Sequence, residues 1–282
     1  MILVIVLLEF GLRQLGLVDF PLYDADAEIG YIPKANQRGS FMNRNDWQVN
    51  ELHMGNGPFK PSPQGNILLV GDSIVWGGNP YAAHERLGPQ LQALVPQAVW
   101  TVAAGSWALQ NELTYLNQHP EVVQAVQQLV VVSNNGDFSR PSSWTCEVTH
   151  PRQAPALALG YLARKYALKE ACPASPPVGY QVAAQDVWEM LRRFTSAHPR
   201  LPVTVFLYPD KAECERPGLR VQQLDSLAPK LLAHGVGKVY SVASSSAWAD
   251  CQRLYKDGIH PTPPAMQSLA GIIATNMTDQ GQ

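Results

Sequence analysis

The stretch NILLVGDSIVWGGN, residues 66–79, decides how the chain is read. NILLV is a short apolar run bounded by Gly65 and Gly71, the pattern of a strand buried on both faces. It runs straight into Gly71-Asp72-Ser73, which puts a serine hydroxyl at the end of a buried strand. Such a serine is either a nucleophile or part of a turn. Gly-Asp-Ser alone is a common turn tripeptide and does not choose between them.

Working outward, the same strand pattern recurs at 98–104, 128–133, 201–208 and 237–242. Between these runs, helical periodicity marks 80–94, 107–127 with a break at Pro120, 154–169, 180–198 and 219–234. The segment 263–277 closes as a helix, with Thr262 as N-cap and Pro263 at its first position. Strands alternating with helices imply right-handed crossovers, so the expected class is α/β, with a mainly parallel five-stranded sheet covered on both faces.

The 282 residues are 46% hydrophobic and 16% charged, enough apolar material for a sizeable core. A net charge of −2 with no block of like charges argues against a nucleic-acid partner, which requires a basic stripe. The opening MILVIVLLEFGLRQLGLVDF has eight apolar residues before Glu9, whereas a bilayer span needs roughly 20. It has neither a basic n-region nor a small-residue cleavage site. Residues 1–18 are therefore expected to be the distal half of a membrane anchor or signal segment, emerging near Asp19. The alternative is a buried terminal helix or strand. Residues 19–64, polar with isolated aromatics at Tyr23, Tyr31, Phe41 and Trp47, read as an irregular connector with short strands near 40–51. The main domain is expected over 65–282.

Cys146, Cys172, Cys214 and Cys251 form no CxxC pair and no zinc-ligand spacing, and no metal or organic cofactor is implied. Two disulfides are allowed, with Cys146–Cys172 and Cys214–Cys251 the sequence-nearest of three pairings. Free buried thiols are the alternative.

Ligands of open α/β sheets sit at the carboxyl ends of the strands, and those ends carry a consistent set of residues. After the first strand comes Gly71-Asp72-Ser73, after the second Ala104-Gly105-Ser106, and after the third Asn134-Asn135-Gly136-Asp137. Asp257-Gly258-Ile259-His260-Pro261 precedes the last helix. Serine needs an adjacent base that is itself oriented by a third group, and Asp257 with His260 supplies that pair. Acyl transfer also needs donors for the developing oxyanion. The backbone N–H groups of Ser73 and Gly105 and the Asn135 side chain are the candidates. Trp76, Trp107 and Phe138 each follow a motif and are candidate walls of an acyl pocket. Gly77 and Gly78 suggest room for a bulky substrate. His53, His84, His119, His150, His198 and His234 have no comparable partner and read as surface or structural.

The set Gly71-Asp72-Ser73, Gly105, Asn135 and Asp257-x-x-His260, in that order, resembles the SGNH (GDSL-type) hydrolase superfamily over about 66–280. The resemblance implies a flavodoxin-like three-layer α/β/α sandwich with Ser73 as nucleophile, His260 as general base and Asp257 as its orienting carboxylate. It also implies an oxyanion hole of Ser73, Gly105 and Asn135. The family's third block reads Gly-x-Asn-Asp where this chain has Ser133-Asn134-Asn135-Gly136-Asp137, so Asn134 is the alternative to Asn135. Position 75 is valine, which separates the motif from the Gly-x-Ser-x-Gly elbow of α/β-hydrolases.

Within that superfamily the chain is similar to membrane-anchored bacterial envelope proteins that add or remove acetyl groups on exopolysaccharides. The expected substrate is an acylated saccharide or another acyl ester. Esterase is the first expectation. An O-acetyltransferase served by a membrane acyl-donor protein is the second, followed by a lipase or thioesterase of small acyl esters. A non-catalytic saccharide-binding protein is a different class, and the complete Ser73, Asp257 and His260 set speaks against it. The expected location is the bacterial periplasm or cell envelope.

Overall fold

A computed structural model describes residues 2–277; Met1 and residues 278–282, the outer ends of the expected segments 1–18 and 65–282, lie outside the described residues. The chain divides into two compact units. One joins the residues up to Phe59 with Ser142–Ala183, and the other joins Lys60–Pro141 with the residues from Ala184 onward.

The first unit opens with α1 (Ile2–Gln14) and two antiparallel hairpins, β1 (Tyr23–Asp26) with β2 (Gly30–Pro33) and β3 (Gln37–Phe41) with β4 (Asn45–Val49). The chain then enters the second unit with β5 (Asn66–Gly71), α2 (Ser73–Trp76), α3 (Leu87–Gln92) and β6 (Ala98–Ala103). There follow α4 (Leu109–Gln118), α5 (Pro120–Ala125) and β7 (Gln128–Ser133). It returns to the first unit for α6 (Ala158–Leu162), which continues as a π-helical turn over Ala163–Ala167. The second unit is completed by α7 (Val187–Ala197), β8 (Val203–Leu207), α8 (Lys211–Glu215), α9 (Pro217–Gln223), α10 (Ala228–Ala233), β9 (Lys238–Ser241), α11 (Cys251–Leu254) and α12 (Pro263–Met277).

In the second unit the five strands are all parallel, in the order β6-β5-β7-β8-β9. Numbered from β5, this is the 2-1-3-4-5 order of flavodoxin-like sheets. The chain moves from β5 to one side for β6 and then to the other for β7, which makes the carboxyl end of β5 the switch point where such sheets bind ligands. All six residues of β5 are buried, as its unbroken apolar run predicts.

Several expected helices are shorter than their periodicity suggested, for local reasons. The segment 80–94 holds only a 3₁₀ turn (Ala83–Glu85) and α3, because Pro89 has no N–H for the Glu85 carbonyl and so stands in the first turn of a helix that cannot continue from the preceding residues. The segment 180–198 is helical only from Val187, where the Asp186 carboxylate caps the N–H groups of Trp188 and Glu189. The segment 219–234 breaks before Pro229 into α9, a 3₁₀ turn and α10.

The connector expected over 19–64 is different in kind. Up to Phe59 it folds with Ser142–Ala183 as a unit of its own, and three of its four isolated aromatics are core, Phe41 being half-buried. Tyr23, Tyr31 and Trp47 are buried; Tyr31 stacks on His150 at 3.9 Å, and the Trp47 indole donates to the Asp19 carbonyl. Arg152 lies 3.9 Å over the Trp144 ring and pairs with Glu147 at 2.8 Å. Cys146–Cys172 closes this unit and Cys214–Cys251 braces the other, the sequence-nearest pairing.

Candidate active site

Gly71 ends β5 where nothing larger fits. A Cβ there would lie 2.6 Å from Val75 Cγ2 and 2.9 Å from the Val132 carbonyl oxygen. Asp72 then caps a single helical turn by accepting from the Ile74 N–H at 2.8 Å, and Ser73 is the first residue of that turn. A first-turn N–H has no intrahelical acceptor, so the Ser73 amide is available as a donor. Gly77 closes the turn at φ +75, its N–H returning to the Ser73 carbonyl at 2.9 Å. Gly78 follows at φ +70. These two glycines serve a left-handed helix end, a different role from the space for substrate expected of them.

The base arrives from the far end of the sequence. His260 Nε2 is 3.0 Å from Ser73 Oγ, and its Nδ1 is 2.9 Å from Asp257 Oδ2. A carboxylate can only accept, so Nδ1 carries the proton and Nε2 accepts from the serine hydroxyl. Asp257 Oδ1 also accepts the N–H groups of Ile259 at 3.0 Å and His260 at 2.8 Å. Partial burial pushes the Asp257 carboxyl up, but these hydrogen bonds outweigh it and hold the group below the usual aspartate range.

The carbonyls of this loop are taken one by one. Lys211 N–H donates to Gly258 O at 2.9 Å, Tyr208 Oη to Ile259 O at 2.7 Å and Lys256 N–H to His260 O at 3.0 Å. Tyr81 Oη donates to Pro261 O. Cys214–Cys251 joins α8, which begins at Lys211, to α11, which leads into the loop. Neither Tyr81 nor Tyr208 was expected from the sequence, because a tyrosine that donates to a backbone carbonyl leaves no spacing pattern.

The third block separates the two asparagines. Asn134 Nδ2 donates to Asp72 Oδ2 and to Asp137 Oδ1, both at 3.0 Å, while its Oδ1 accepts the Gly136 N–H. Its amide is therefore committed to bracing two carboxylates. Asn135 is exposed, and its side chain has no hydrogen-bond partner among the described residues. Gly105 is half-buried in the turn after β6 and precedes exposed Ser106, which sits at φ +62.

Behind the nucleophile lies a buried acidic group that sequence reading did not find: Asp72, Asp137 and, from α4, Glu112. Both Glu112 carboxylate oxygens are buried without a hydrogen-bond partner among the described residues. Burial pushes Glu112 well above its ordinary value, and the Asp72 charge adds to this. Asp137 is raised by burial and by the charges of Asp72 and Glu112. Burial lifts Asp72 to about 6 against the lowering effect of its hydrogen bonds and of His260. An unpartnered buried carboxyl is tolerable only as the neutral acid, so this core holds protons.

Trp76 and Trp107 are buried as core side chains, and Phe138 stacks on Trp188 with ring centroids 5.3 Å apart.

No family model matches the chain, and no curated protein matches it. Solved structures do. A lipolytic protein of the G-D-S-L family from Veillonella parvula is similar at 15% identity and TM-score 0.45, over 76% of this chain and 98% of that one. A family 3 carbohydrate esterase from Clostridium thermocellum is similar at 12% identity and TM-score 0.40, over 75% and 94%. A family 2 carbohydrate esterase with a carbohydrate-binding domain from Myceliophthora fergusii is similar at 11% identity and TM-score 0.44, over 78% and 67%. These are likenesses; the chemistry of this chain rests on its own side chains.

Proposed function

We propose that the chain is a serine ester hydrolase that forms an acyl-enzyme on Ser73. The observation that carries this is the continuous hydrogen-bonded series Ser73–His260–Asp257 at the switch point of the sheet. As Ser73 Oγ attacks the ester carbonyl, His260 Nε2 takes its proton, and Asp257 holds the resulting imidazolium in place. The carbonyl oxygen becomes an oxyanion that accepts from the N–H groups of Ser73 and Gly105 and from the side-chain amide of Asn135, since that of Asn134 is committed to Asp72 and Asp137. The tetrahedral intermediate collapses and His260 gives the proton to the departing alkoxide. Water, deprotonated by the same nitrogen, then releases the acid and restores Ser73.

The acyl group is read as small, with acetyl first, and its carrier as a carbohydrate. Exposed Ser106, Asn135 and Gly136 at the ends of the flanking strands offer a polar approach that suits a hydroxylated carrier. Two disulfides fit an oxidising compartment such as the bacterial periplasm. Among the described residues no helix is long and apolar enough to cross a membrane. The exposed apolar side chains of α1 support its reading as part of a membrane-associated segment.

A fluorophosphonate probe followed by peptide mass spectrometry tests the chemistry: one adduct on Ser73 is expected, and an unlabelled Ser73 in folded protein refutes it. Incubation with acetylated oligosaccharides tests the carrier, with released acetate as the readout. Release from p-nitrophenyl acetate but from no acetylated sugar would leave the esterase and remove the carbohydrate.

A further inference from the structure

Two neighbouring elements of the first unit, α1 and the segment that begins at Leu157, expose apolar side chains. Along α1, every residue from Leu3 to Leu8, and then Phe10, is between 47% and 70% exposed. Successive helical residues are rotated by about 100°, so these side chains point in all directions. A protein partner would cover one face of such a helix, whereas lipid surrounds it. Glu9 is the first charge after this run. Its carboxylate accepts the N–H groups of Ala158 at 2.8 Å and Leu159 at 3.0 Å. One turn further, Arg13 donates to the carbonyls of Pro155 and Ala156. Residues 155–159 are thus fixed at the level where α1 passes from apolar to charged.

The segment that starts there, 157-LALGYLARKYALK-169, has three basic residues and no acidic one. Its inner face buries Ala158 and Tyr161, with Tyr161 packed on Phe20 and donating to the Val148 carbonyl. Outward it leaves Leu157, Leu159, Tyr166 and Leu168 at 65%, 38%, 59% and 73% exposure. Arg164 pairs with Glu170 at 2.6 Å, and Lys165 turns inward to donate to the Tyr161 hydroxyl at 3.1 Å, so exposed Lys169 supplies the outward charge of the segment that is unpaired among the described residues. Exposed apolar side chains interleaved with exposed Arg164 and Lys169 are the composition of a helix lying in the plane of a bilayer interface.

We propose that residues 157–169 are a second membrane contact, seated in the headgroup region of an anionic bilayer beside the point where α1 leaves it. The proposal rests on the reading of α1 as membrane-embedded. A single bilayer covers both the all-round apolar α1 and the outward leucines of this segment.

Hydrogen–deuterium exchange of the full chain, with and without vesicles of phosphatidylglycerol and phosphatidylethanolamine, separates the two claims. Slowed exchange in both 2–15 and 157–169 is expected. Slowing confined to 2–15 overturns the second contact and keeps the membrane reading of α1; slowing in neither overturns both. The double variant L157S/L168S changes only exposed residues and leaves α1 intact. It should weaken partitioning onto these vesicles about tenfold. K169E should weaken it about fivefold on anionic vesicles and leave phosphatidylcholine binding unchanged. Unchanged partitioning of L157S/L168S overturns the proposal, and an equal effect of K169E on both lipids overturns its anionic component.

Discussion

Tyr208 Oη donates to the carbonyl oxygen of Ile259 at 2.7 Å, fixing the peptide unit that leads into His260. Tyr208 is buried, so its hydroxyl has no competing water, and the imidazole inherits its position from a group outside the triad. Y208F should lower kcat about tenfold at nearly unchanged KM and leave Ser73 reactive toward a fluorophosphonate, though more slowly. Steady-state kinetics on p-nitrophenyl acetate check this. A parallel rise in KM would mean that the tyrosine serves substrate binding instead.

Asp257 has two tasks that one substitution can separate. D257N keeps an oxygen for the Ile259 and His260 N–H groups but cannot accept the Nδ1 proton in the same way. The loop should keep its shape while kcat falls about 10³–10⁴-fold, as happens when the orienting carboxylate of a triad is neutralised. Wild-type-like melting together with that loss is the expected pair of results.

The protons held around Glu112 make stability depend on pH. Asp72, Asp137 and Glu112 all have carboxyl groups raised by burial, Asp72 to about 6, against an unfolded value of about 4. The folded state binds more protons than the unfolded one across that interval, so the stabilisation is complete below about 4 and is lost as pH rises through the folded values. E112Q removes one titrating group while keeping its shape. Its melting temperature should match wild type near pH 4 and exceed it near pH 8. Parallel melting curves across that range would count against the protonated core.

The two disulfides should differ in what they protect. Cys214–Cys251 spans 37 residues and braces the helices that flank the Asp257–His260 loop, so C214S/C251S should cost about 4 kcal/mol and lower kcat as well. Cys146–Cys172 lies in the unit without the triad. Its removal should leave the kcat of the surviving folded protein unchanged. Denaturant titration paired with kinetics reads both effects.

Gly71 tests the packing beneath the nucleophile. In G71A the new methyl meets Val75 and the backbone of β7, and overpacking of this kind costs about 1–3 kcal/mol. Because the displaced turn carries Ser73, activity should fall further than stability alone accounts for.

The parallel sheet was legible because strands buried on both faces must be nearly pure apolar runs, as NILLV and QLVVVS are. The Ser73, Asp257 and His260 set was legible because its chemistry demands three residue types at strand ends. The first unit was not. Its aromatics are irregularly spaced, and their partners, such as His150 for Tyr31, lie some hundred residues away across the intervening strands. The Asn134–Asn135 ambiguity also needed geometry, since only the contacts of Asn134 with Asp72 and Asp137 show which amide is committed.

Ser73 and His260 are 187 residues apart, and all five strands of the sheet are finished by Ser241. A chain truncated anywhere between Ser241 and Asp257 would therefore keep every strand of the sheet and the serine, yet lack both the base and the carboxylate that orients it. Proteolysis between Cys251 and Asp257, beyond the reach of the Cys214–Cys251 disulfide, would separate nucleophile from base at a single cut.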